Sequence, residues 1–461
     1  MSKERAKAGY KTTGKERFSY GLYFVGQNIF YIFIYLYAAT YLLDIGISAY
    51  AVTASLLVVK IWDAINDPLF GGFVDRIKFK KGKFVPWLRI SLIFIPITTI
   101  LMFAIPYGIP NGAKIAWAIV SYMLWDTAYT ICDVPIFGLV TTLTNVQEER
   151  TSLQAIGRIA AMLASMVVYS GVPAFREAIG GWLPTIIVLS IIALVTMVPI
   201  CITANERIDA GESEAEVGIR EMFKYIASNR YLLIFYIALF IAYAANVAST
   251  IALIFSRICL GNESIQGILS LVSFVPAVVL GAFVPKICKK VDKFDLYFWS
   301  IVIMTVLGFV QYFVGYSNFA VFMVILFLRG LPAGFWTITM YMFTPDCAEY
   351  GHYKTGIDAK GITFATQTFS VKLMTAVATA LGTFLLGLAG YVEGEGAVQA
   401  ADFANKLWMI YALVPNIGLL ISIPILHQYK LRDKDVAIMA KCNAGEISRE
   451  EAESLISKKI K

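Results

Sequence analysis

The sequence predicts an all-α membrane protein with twelve transmembrane helices in two halves of six. Of the 461 residues, 58% are hydrophobic and only 15% are charged, whereas an ordinary soluble domain has about 25% charged residues. Apolar runs of the ~20 residues needed to cross ~30 Å of hydrocarbon recur along nearly the whole chain. A lipid bilayer is therefore the expected solvent, and the expected class is a channel, a transporter or an integral membrane enzyme.

The helix positions follow from the apolar runs and from the polar breaks between them. The predicted helices lie at about 18–43, 49–76, 84–106, 114–144, 150–172, 182–203, 230–257, 263–287, 294–316, 319–345, 361–390 and 403–427. The basic N-terminus has no cleavage site, so we expect no signal peptide. Predicted inside loops are rich in Lys and Arg and outside loops carry almost none, which predicts a bacterial inner membrane protein with both termini in the cytoplasm.

A long charged break and an internal repeat divide the chain into two halves. Phe73–Ile77, followed by two lysines, recurs as Phe283–Ile287, also followed by two lysines. The predicted parts are a cytosolic N-terminus (1–17), two six-helix bundles (18–204 and 230–427), a cytosolic linker (205–229) and a polar cytosolic tail with a solvated helix (428–461). Two parallel six-helix repeats are typical of the major facilitator fold.

Composition argues against several other classes. The net charge is +7, but the basic residues fall at the ends of apolar spans, so we expect no nucleic-acid partner. The six cysteines have no metal-ligand or redox spacing, which predicts free thiols and no cofactor. The two histidines, His352 and His427, lie at the cytosolic ends of spans and provide no catalytic constellation, so an enzyme is not expected.

Charges inside the predicted spans cost several kcal/mol each and mark candidate functional sites. Asp63 and Asp67 share one face of the second helix, beside Asn66 and one turn after Lys60. Two ionised carboxylates ~6 Å apart repel by about 3 kcal/mol at an effective dielectric of ~20. A monovalent cation, Na⁺ or H⁺, would relieve this repulsion, which predicts a coupling site. The alternative is that these carboxylates form structural pairs with Lys60, Arg158 and Lys372.

The fourth helix carries a second polar stripe at helical spacing, formed by Asp126, Tyr129, Thr130, Asp133 and Phe137. A carboxylate, a phenol and a ring on one stripe suit a sugar, whose hydroxyl groups need acceptors and whose C–H face stacks on an aromatic ring. Trp336 in the tenth helix is a second candidate ring. Arg158 in the fifth helix and Lys372 in the eleventh supply positive charge.

Long motifs at these positions resemble one transporter family. They are Trp62–Gly72 with Lys81–Trp87, Tyr129–Pro135, Asp346–Gly351 and Gln367–Lys372. In these motifs the chain is similar to the glycoside-pentoside-hexuronide:cation symporters, a branch of the major facilitators that includes the melibiose permeases. The motifs span both halves, so the resemblance covers essentially the whole chain.

The resemblance implies two sites. The implied cation site is Asp63, Asn66, Asp67 and Thr130 with Lys372 nearby, and Asp63, Asp67 and Thr130 would be the metal ligands if the cation is Na⁺. The implied sugar site is Asp133, Tyr129, Arg158, Lys372 and Trp336. Asn28 and Phe137 are also expected in the sugar site, but they depart from the melibiose type, which has a sugar-binding Asp in place of Asn28 and a Trp in place of Phe137. Asp126 is an additional carboxylate to which the resemblance gives no role.

These departures leave the sugar open among glycosides, pentosides and hexuronides, and they weaken a galactoside assignment. A lipid or lysolipid transporter with a similar cation site is the alternative function, because animal relatives of this family move lipids. A sugar carrier should present polar groups from both halves, whereas a lipid carrier should have an apolar cleft open to the side. The expected partners are a small sugar, a monovalent cation and the bilayer, and the expected state is monomeric.

Overall fold

The computed structural model describes residues 12–77, 79, 82–144, 146–208, 219–281, 283–356, 360–457 and 460. In these ranges the regular structure is helical and contains no strand. The predicted all-α class is confirmed. Chain contacts define two units: the first comprises Met1–Glu216, Asn262–Ile268 and Leu386–Ala400, and the second comprises Val217–Gly261, Leu269–Leu385 and Ala401–Lys461.

Six long helices form the first half of the chain: α1 (Gly14–Asp44), α2 (Ala49–Arg76), α3 (Val85–Phe103), α4 (Asn111–Leu143), α5 (Gln147–Ile179) and α6 (Trp182–Thr203). Helix α1 packs mainly against α5 and α6, whereas α4 packs against α3 and α2. This arrangement brings the polar faces of α2 and α4 together within the first unit.

The second half contains more breaks. Its helices are α7 (Ile219–Ser228), α8 (Arg230–Ala244), α9 (Ala248–Cys259), α10 (Ile265–Gly281), α11 (Val284–Ile287), α12 (Lys293–Val314), α13 (Phe319–Met340), α14 (Phe343–Thr355), α15 (Lys360–Ala389), α16 (Phe403–Leu426), α17 (Asp433–Asn443) and α18 (Arg449–Leu455). Helix α12 packs against α13 and α16, and α16 also packs against α8. The predicted seventh span is thus two helices, α8 and α9, with a short break between them.

Each predicted span overlaps at least one helix of the structure. Among the described residues, nine helical segments are long and apolar enough to cross a membrane, and the shorter helix α10 is also apolar. One of these segments, Arg230–Cys259, contains both α8 and α9. The protein is therefore a multi-pass membrane protein, and the count of twelve spans stays a prediction.

Local capping explains where several helices begin and end. Thr13 and Glu16 form a reciprocal capping box at the start of α1. Asn229 and Asn318 accept backbone N–H hydrogen bonds at the starts of α8 and α13. Helix α5 ends at Gly180, whose φ of +83° favours glycine.

The first residues of the predicted linker are fixed to the first unit. The Glu206 carboxylate accepts backbone N–H hydrogen bonds of 2.8–3.0 Å from Lys83, Phe84 and Val85, at the start of α3. A carboxylate at a helix N-terminus is favoured by the helix dipole. Next to it, Arg207 Nη2 lies 2.8 Å from Glu16 Oε1. These contacts connect the start of the linker to the first residues of α1 and α3, which are predicted to lie on the cytosolic side.

The C-terminal tail forms two helices, α17 and α18, each of which has exposed charged residues and one face that packs against the protein. Met439 in α17 and Ala452 in α18 are fully buried, and α17 packs against α14. Asn443 Nδ2 donates to the backbone oxygen of Glu349 at 3.0 Å and to its carboxylate at 2.8 Å. Apolar residues on one face of a mostly polar helix account for this docking.

Candidate functional site

Helix α4 carries the predicted polar stripe as one continuous surface. Asp126 and Thr130 are buried, with 5% and 4% of their surface exposed, while Tyr129 and Asp133 are half-buried. Residues three and four apart share a helix face, and α2 packs against α4. The buried members therefore face protein, and the half-buried members remain accessible to a small ligand.

Part of the predicted cation site comes together between α2 and α4. Asn66 Nδ2 donates to Thr130 Oγ1 at 2.9 Å, and Thr130 Oγ1 donates to the backbone oxygen of Asp126 at 3.1 Å. Asp63 lies one turn before Asn66 and is 7% exposed. The side chain of Asp67 lies outside the described residues. Carboxylate, amide and hydroxyl oxygens are thus close together, a donor set suited to a hard cation.

A second hydrogen bond fixes the register of the two helices. Trp62 Nε1 donates to Thr127 Oγ1 at 3.2 Å, about one turn before the bond between Asn66 and Thr130. These two bonds bring Asp63 of α2 and Asp126 of α4 to the same level. The described residues contain no group of three or more His, Cys, Asp or Glu side chains that could hold a metal ion, so a cation here would also need the neutral oxygens.

Lys60 is a positive charge in contact with this cluster. Its Nζ lies 3.3 Å from Asp63 Oδ2, and about one third of its side chain is exposed. The Asp126 carboxylate belongs to the electrostatic surroundings of the ammonium, and Tyr122 and Tyr31 lie in the same region. The sequence predicted that Lys60 lies one turn before Asp63. In the structure, Lys60 also belongs to the same charged cluster as Asp126.

Asp133 is held by a residue that the sequence analysis missed. Gln27 of α1 donates through Nε2 to Asp133 Oδ1 and, at 3.4 Å, to the hydroxyl of Tyr129. Gln27 is 1% exposed. An amide in an apolar span, four residues from both Tyr23 and Tyr31, was the signal that could have identified it.

Asn28 makes a different contact from the one its sequence position suggested. Its Nδ2 donates to the backbone oxygen of Phe24, 2.8 Å away in the same helix. The Asn28 side chain is half-buried. Its amide nitrogen is therefore already used within α1, while the neighbouring Gln27 reaches the carboxylate of α4.

Aromatic rings surround the accessible part of the stripe. The Tyr129 ring stacks on Trp125 with centroids 5.3 Å apart and lies 5.2 Å from the ring of Tyr31. Phe137 is 47% exposed, and its edge meets Phe24 at 5.4 Å. The rings therefore border Asp133 on both sides along α4.

The remaining predicted sugar residues are distributed over both units. Arg158 is exposed on α5 in the first unit, and Lys372 is exposed on α15 in the second. Trp336 is only 9% exposed and belongs to the hydrophobic core of the second unit, with its ring 6.1 Å from that of Tyr243. The predicted role of Trp336 as a stacking surface stays a prediction.

The second unit holds a cation that the sequence analysis did not single out. Arg329 of α13 donates to the side-chain oxygens of Gln311 in α12 and, at 3.1 Å, of Asn416 in α16. Gln311 and Asn416 are almost fully buried. A Cβ atom at Gly308 would collide with Asn416, so the glycine permits the close approach of α12 and α16.

A cluster of charged residues around Arg176 lies at the end of the first unit opposite to the N-terminus. Arg176 at the end of α5 contacts Glu263 and Glu395, lies 3.6 Å from Asp44, and stacks on Trp182 at 4.2 Å. Trp182 Nε1 in turn donates to Asp44 Oδ2 at 3.0 Å. Glu263 and Glu395 come from the two late segments that join this unit, so the cluster ties distant parts of the sequence together.

A family described as "MFS/sugar transport protein" matches residues 19–433, about nine tenths of the chain. The chain belongs to this family. The predicted resemblance to glycoside-pentoside-hexuronide:cation symporters is confirmed at this level.

Relatives that match the MFS/sugar transport chain are similar along nearly its whole length. An isoprimeverose transporter of Lactiplantibacillus pentosus is 25% identical over 90% of this chain and 88% of the relative. A glucuronide carrier protein homolog of Escherichia coli is 26% identical over 90% of this chain and 92% of the relative. A putative glycoside/cation symporter, YagG, also of Escherichia coli, is 23% identical over 93% and 94%.

Solved structures support the same fold for this family member. The nucleoside transporter NupG matches with a TM-score of 0.61 at 12% identity, covering 91% of this chain and all of NupG. A bacterial homolog of the human lysosomal transporter Spinster matches with a TM-score of 0.59 at 12% identity, covering 96% of both chains. The protein is therefore a membrane transporter of the major facilitator fold and not an enzyme.

Proposed function

We propose that this transporter takes up a sugar, either a glycoside, a pentoside or a hexuronide, by symport with a monovalent cation, Na⁺ or H⁺. The observation that carries the proposal is the arrangement on α4. Thr130 accepts a hydrogen bond from Asn66 in the cation cluster. The preceding residue, Tyr129, accepts a hydrogen bond from Gln27, which also donates to Asp133. Adjacent residues of α4 therefore belong to the proposed cation site and to the proposed sugar site, an arrangement that suits coupled binding.

The cation proposal rests on the acidic pair of α2 and its neutral neighbours. Asp63 and Asp67 are four residues apart on one helix, so their charges repel unless a cation lies between them. Asn66 and Thr130 supply neutral oxygens, which favour Na⁺ as the first cation to test. One charge moving inward through 100 mV provides ~2.3 kcal/mol for accumulation.

The sugar proposal rests on Asp133 and its surroundings. The carboxylate is accessible, the Gln27 amide fixes one of its oxygens, and the rings of Tyr129 and Phe137 flank it. Gln27 Oε1 is buried and accepts no hydrogen bond from any described group, so a sugar hydroxyl could satisfy it. The names of the relatives, which include isoprimeverose, glucuronide and glycosides, support the same substrate classes.

Counterflow in proteoliposomes tests the proposal directly. The purified protein would be assayed with a panel of labelled glycosides, pentosides, hexuronides and one lysolipid, each with Na⁺, with choline, and with a pH gradient. We expect one sugar class to exchange and to accumulate above equilibrium when an inward Na⁺ or H⁺ gradient is imposed. Equilibration that is independent of both gradients would exclude symport, and transport of the lysolipid alone would replace the sugar by a lipid.

A further inference from the structure

Lys60 and Asp126 lie next to the proposed cation site, and no role has been assigned to either. The Lys60 ammonium contacts Asp63 at 3.3 Å, and Asp126 is within its electrostatic environment. The paired hydrogen bonds of Trp62 and Asn66 to α4 bring Asp63 and Asp126 to one level. Lys60 is therefore a cation with two carboxylates near it, one on each helix.

The contact between Lys60 and Asp63 creates a conflict with the proposed function. A Na⁺ ion coordinated by Asp63 would use the same carboxylate that Lys60 contacts. Two cations within contact distance of one carboxylate repel each other in a site of low dielectric. Cation binding at Asp63 therefore requires the Lys60 ammonium to move away or to weaken its contact.

Asp126 is a second carboxylate, on the neighbouring helix, that could take the ammonium. A lysine side chain is a point charge on a flexible four-carbon stem with three rotatable donors. Asp126 is 5% exposed, and a buried carboxylate strongly favours a positive neighbour. A shift of the Lys60 side chain from Asp63 toward Asp126 would keep its charge compensated throughout.

We propose that Lys60 competes with the coupling cation for Asp63, and that Asp126 receives the Lys60 ammonium when Na⁺ binds. This inference rests on the proposed function, because it assumes a cation at Asp63. It gives a role to the additional carboxylate of α4. Asp126 is then a positioning residue that sets the Na⁺ affinity through Lys60 and does not itself need to touch the ion.

The same lysine connects the two proposed sites. Tyr31 lies in the surroundings of Lys60, and its ring lies 5.2 Å from that of Tyr129 in the sugar site. Movement of the ammonium toward Asp126 changes the charge next to Tyr31. This contact gives a physical route by which cation binding can alter the sugar site.

A double-mutant cycle tests the exchange. Na⁺ binding would be titrated without sugar, by calorimetry or by tryptophan fluorescence, on the purified wild-type protein, Asp126→Asn, Lys60→Met and the double variant. Asp126→Asn should raise the Na⁺ dissociation constant about tenfold, or ~1.4 kcal/mol, because Lys60 loses its second carboxylate. Lys60→Met should lower the constant, and adding Asp126→Asn to it should change the constant less than about twofold.

Equal effects of Asp126→Asn with and without Lys60 would overturn the proposal, because Asp126 would then act independently of the lysine. Unchanged affinity in Asp126→Asn would also overturn it while leaving Na⁺ symport intact. If the wild-type protein binds no Na⁺, the Na⁺ form of the proposed function and this inference both fail. The three results are distinguishable in one set of titrations.

Two further variants separate charge exchange from misfolding. Asp126→Glu keeps the carboxylate and should retain Na⁺ affinity within about threefold of wild type. The matched control is Asp402→Asn, which removes a carboxylate from the exposed pair with Lys406 and should leave Na⁺ affinity unchanged. Loss of Na⁺ binding in Asp126→Glu, with a monodisperse and thermally stable protein, would contradict the exchange.

Discussion

Each half of the chain has a positively charged side chain on a long apolar helix, and the two charges have different kinds of partner. In the first half, Lys60 contacts the Asp63 carboxylate and has Asp126 in its electrostatic environment. In the second, Arg329 donates to the neutral amide oxygens of Gln311 and Asn416. The first arrangement balances charge with charge, while the second satisfies hydrogen-bond donors and leaves the positive charge in place.

This difference separates a charged group that another cation can replace from one that only connects helices. A carboxylate can release an ammonium and take a metal ion or a proton, because each is an alternative counter-charge. An amide oxygen offers little to a competing cation beside a guanidinium, so the Arg329 group connects three helices, α12, α13 and α16, and is expected to be structural. The comparison therefore favours the first half as the place of the proposed cation coupling, and mutations in both halves can test it.

The largest effect is expected at the acidic pair. Asp63→Asn or Asp67→Asn should weaken Na⁺ binding and abolish sugar accumulation, because each removes one of two charges that attract the cation. Some cation-independent sugar binding should remain, since Asp133 is unchanged. Accumulation in vesicles and sugar binding without Na⁺ are the measurements. Both variants accumulating sugar at the wild-type level would mean that the coupling ion binds elsewhere.

The next effect is expected at Asp133. Asp133→Asn should reduce sugar affinity at least tenfold, or more than ~1.4 kcal/mol, because a charge-assisted acceptor becomes neutral and one oxygen becomes a donor. Na⁺ affinity measured without sugar should change much less. Because coupling is reciprocal, the variant should also lose the enhancement of Na⁺ affinity by sugar. Calorimetry that finds unchanged sugar affinity would make Asp133 a buried structural anion.

Gln27→Leu sharpens the same point, because it removes the amide that orients Asp133 while keeping the carboxylate. We expect a smaller loss of sugar affinity than for Asp133→Asn, about two- to tenfold. Tyr37→Phe is the matched control, since Tyr37 is a buried polar residue of α1 that donates to the backbone oxygen of Val168 and is not a predicted site residue. An equal loss in both variants would assign the effect to packing of α1.

The smallest functional effect is expected in the second half. Arg329→Met should leave Na⁺ affinity unchanged but lower thermal stability, because buried oxygens of Gln311 and Asn416 lose a donor at about 1–3 kcal/mol. Gly308→Ala should reproduce this loss by displacing Asn416. Thermal unfolding and Na⁺ titration of both variants are the measurements. Altered Na⁺ affinity with unchanged stability would bring Arg329 into the coupling mechanism and would remove the contrast between the halves.

The sequence by itself determined the fold class, the helix positions and the chemistry of the stripe on α4. Hydropathy and helical spacing are local properties, and an intramembrane carboxylate such as Asp133 is conspicuous in an apolar chain. The same local reasoning also placed Asp63 and Asp67 on one face of the second helix, with Asn66 beside them. It did not identify the packed face of the C-terminal tail, where apolar residues within a charged segment, such as Met439, contact the protein.

Only the tertiary structure decided which residues from different helices meet. Gln27, and not Asn28, reaches Asp133 because the rotation of α1 against α4 selects between neighbours 100° apart on a helix. The register of α2 against α4 places Lys60 among Asp63, Asp126 and Tyr31. Arg176 meets carboxylates 87 and 219 residues away. No spacing in the sequence encodes such contacts, because they depend on how packed helices rotate and slide against one another.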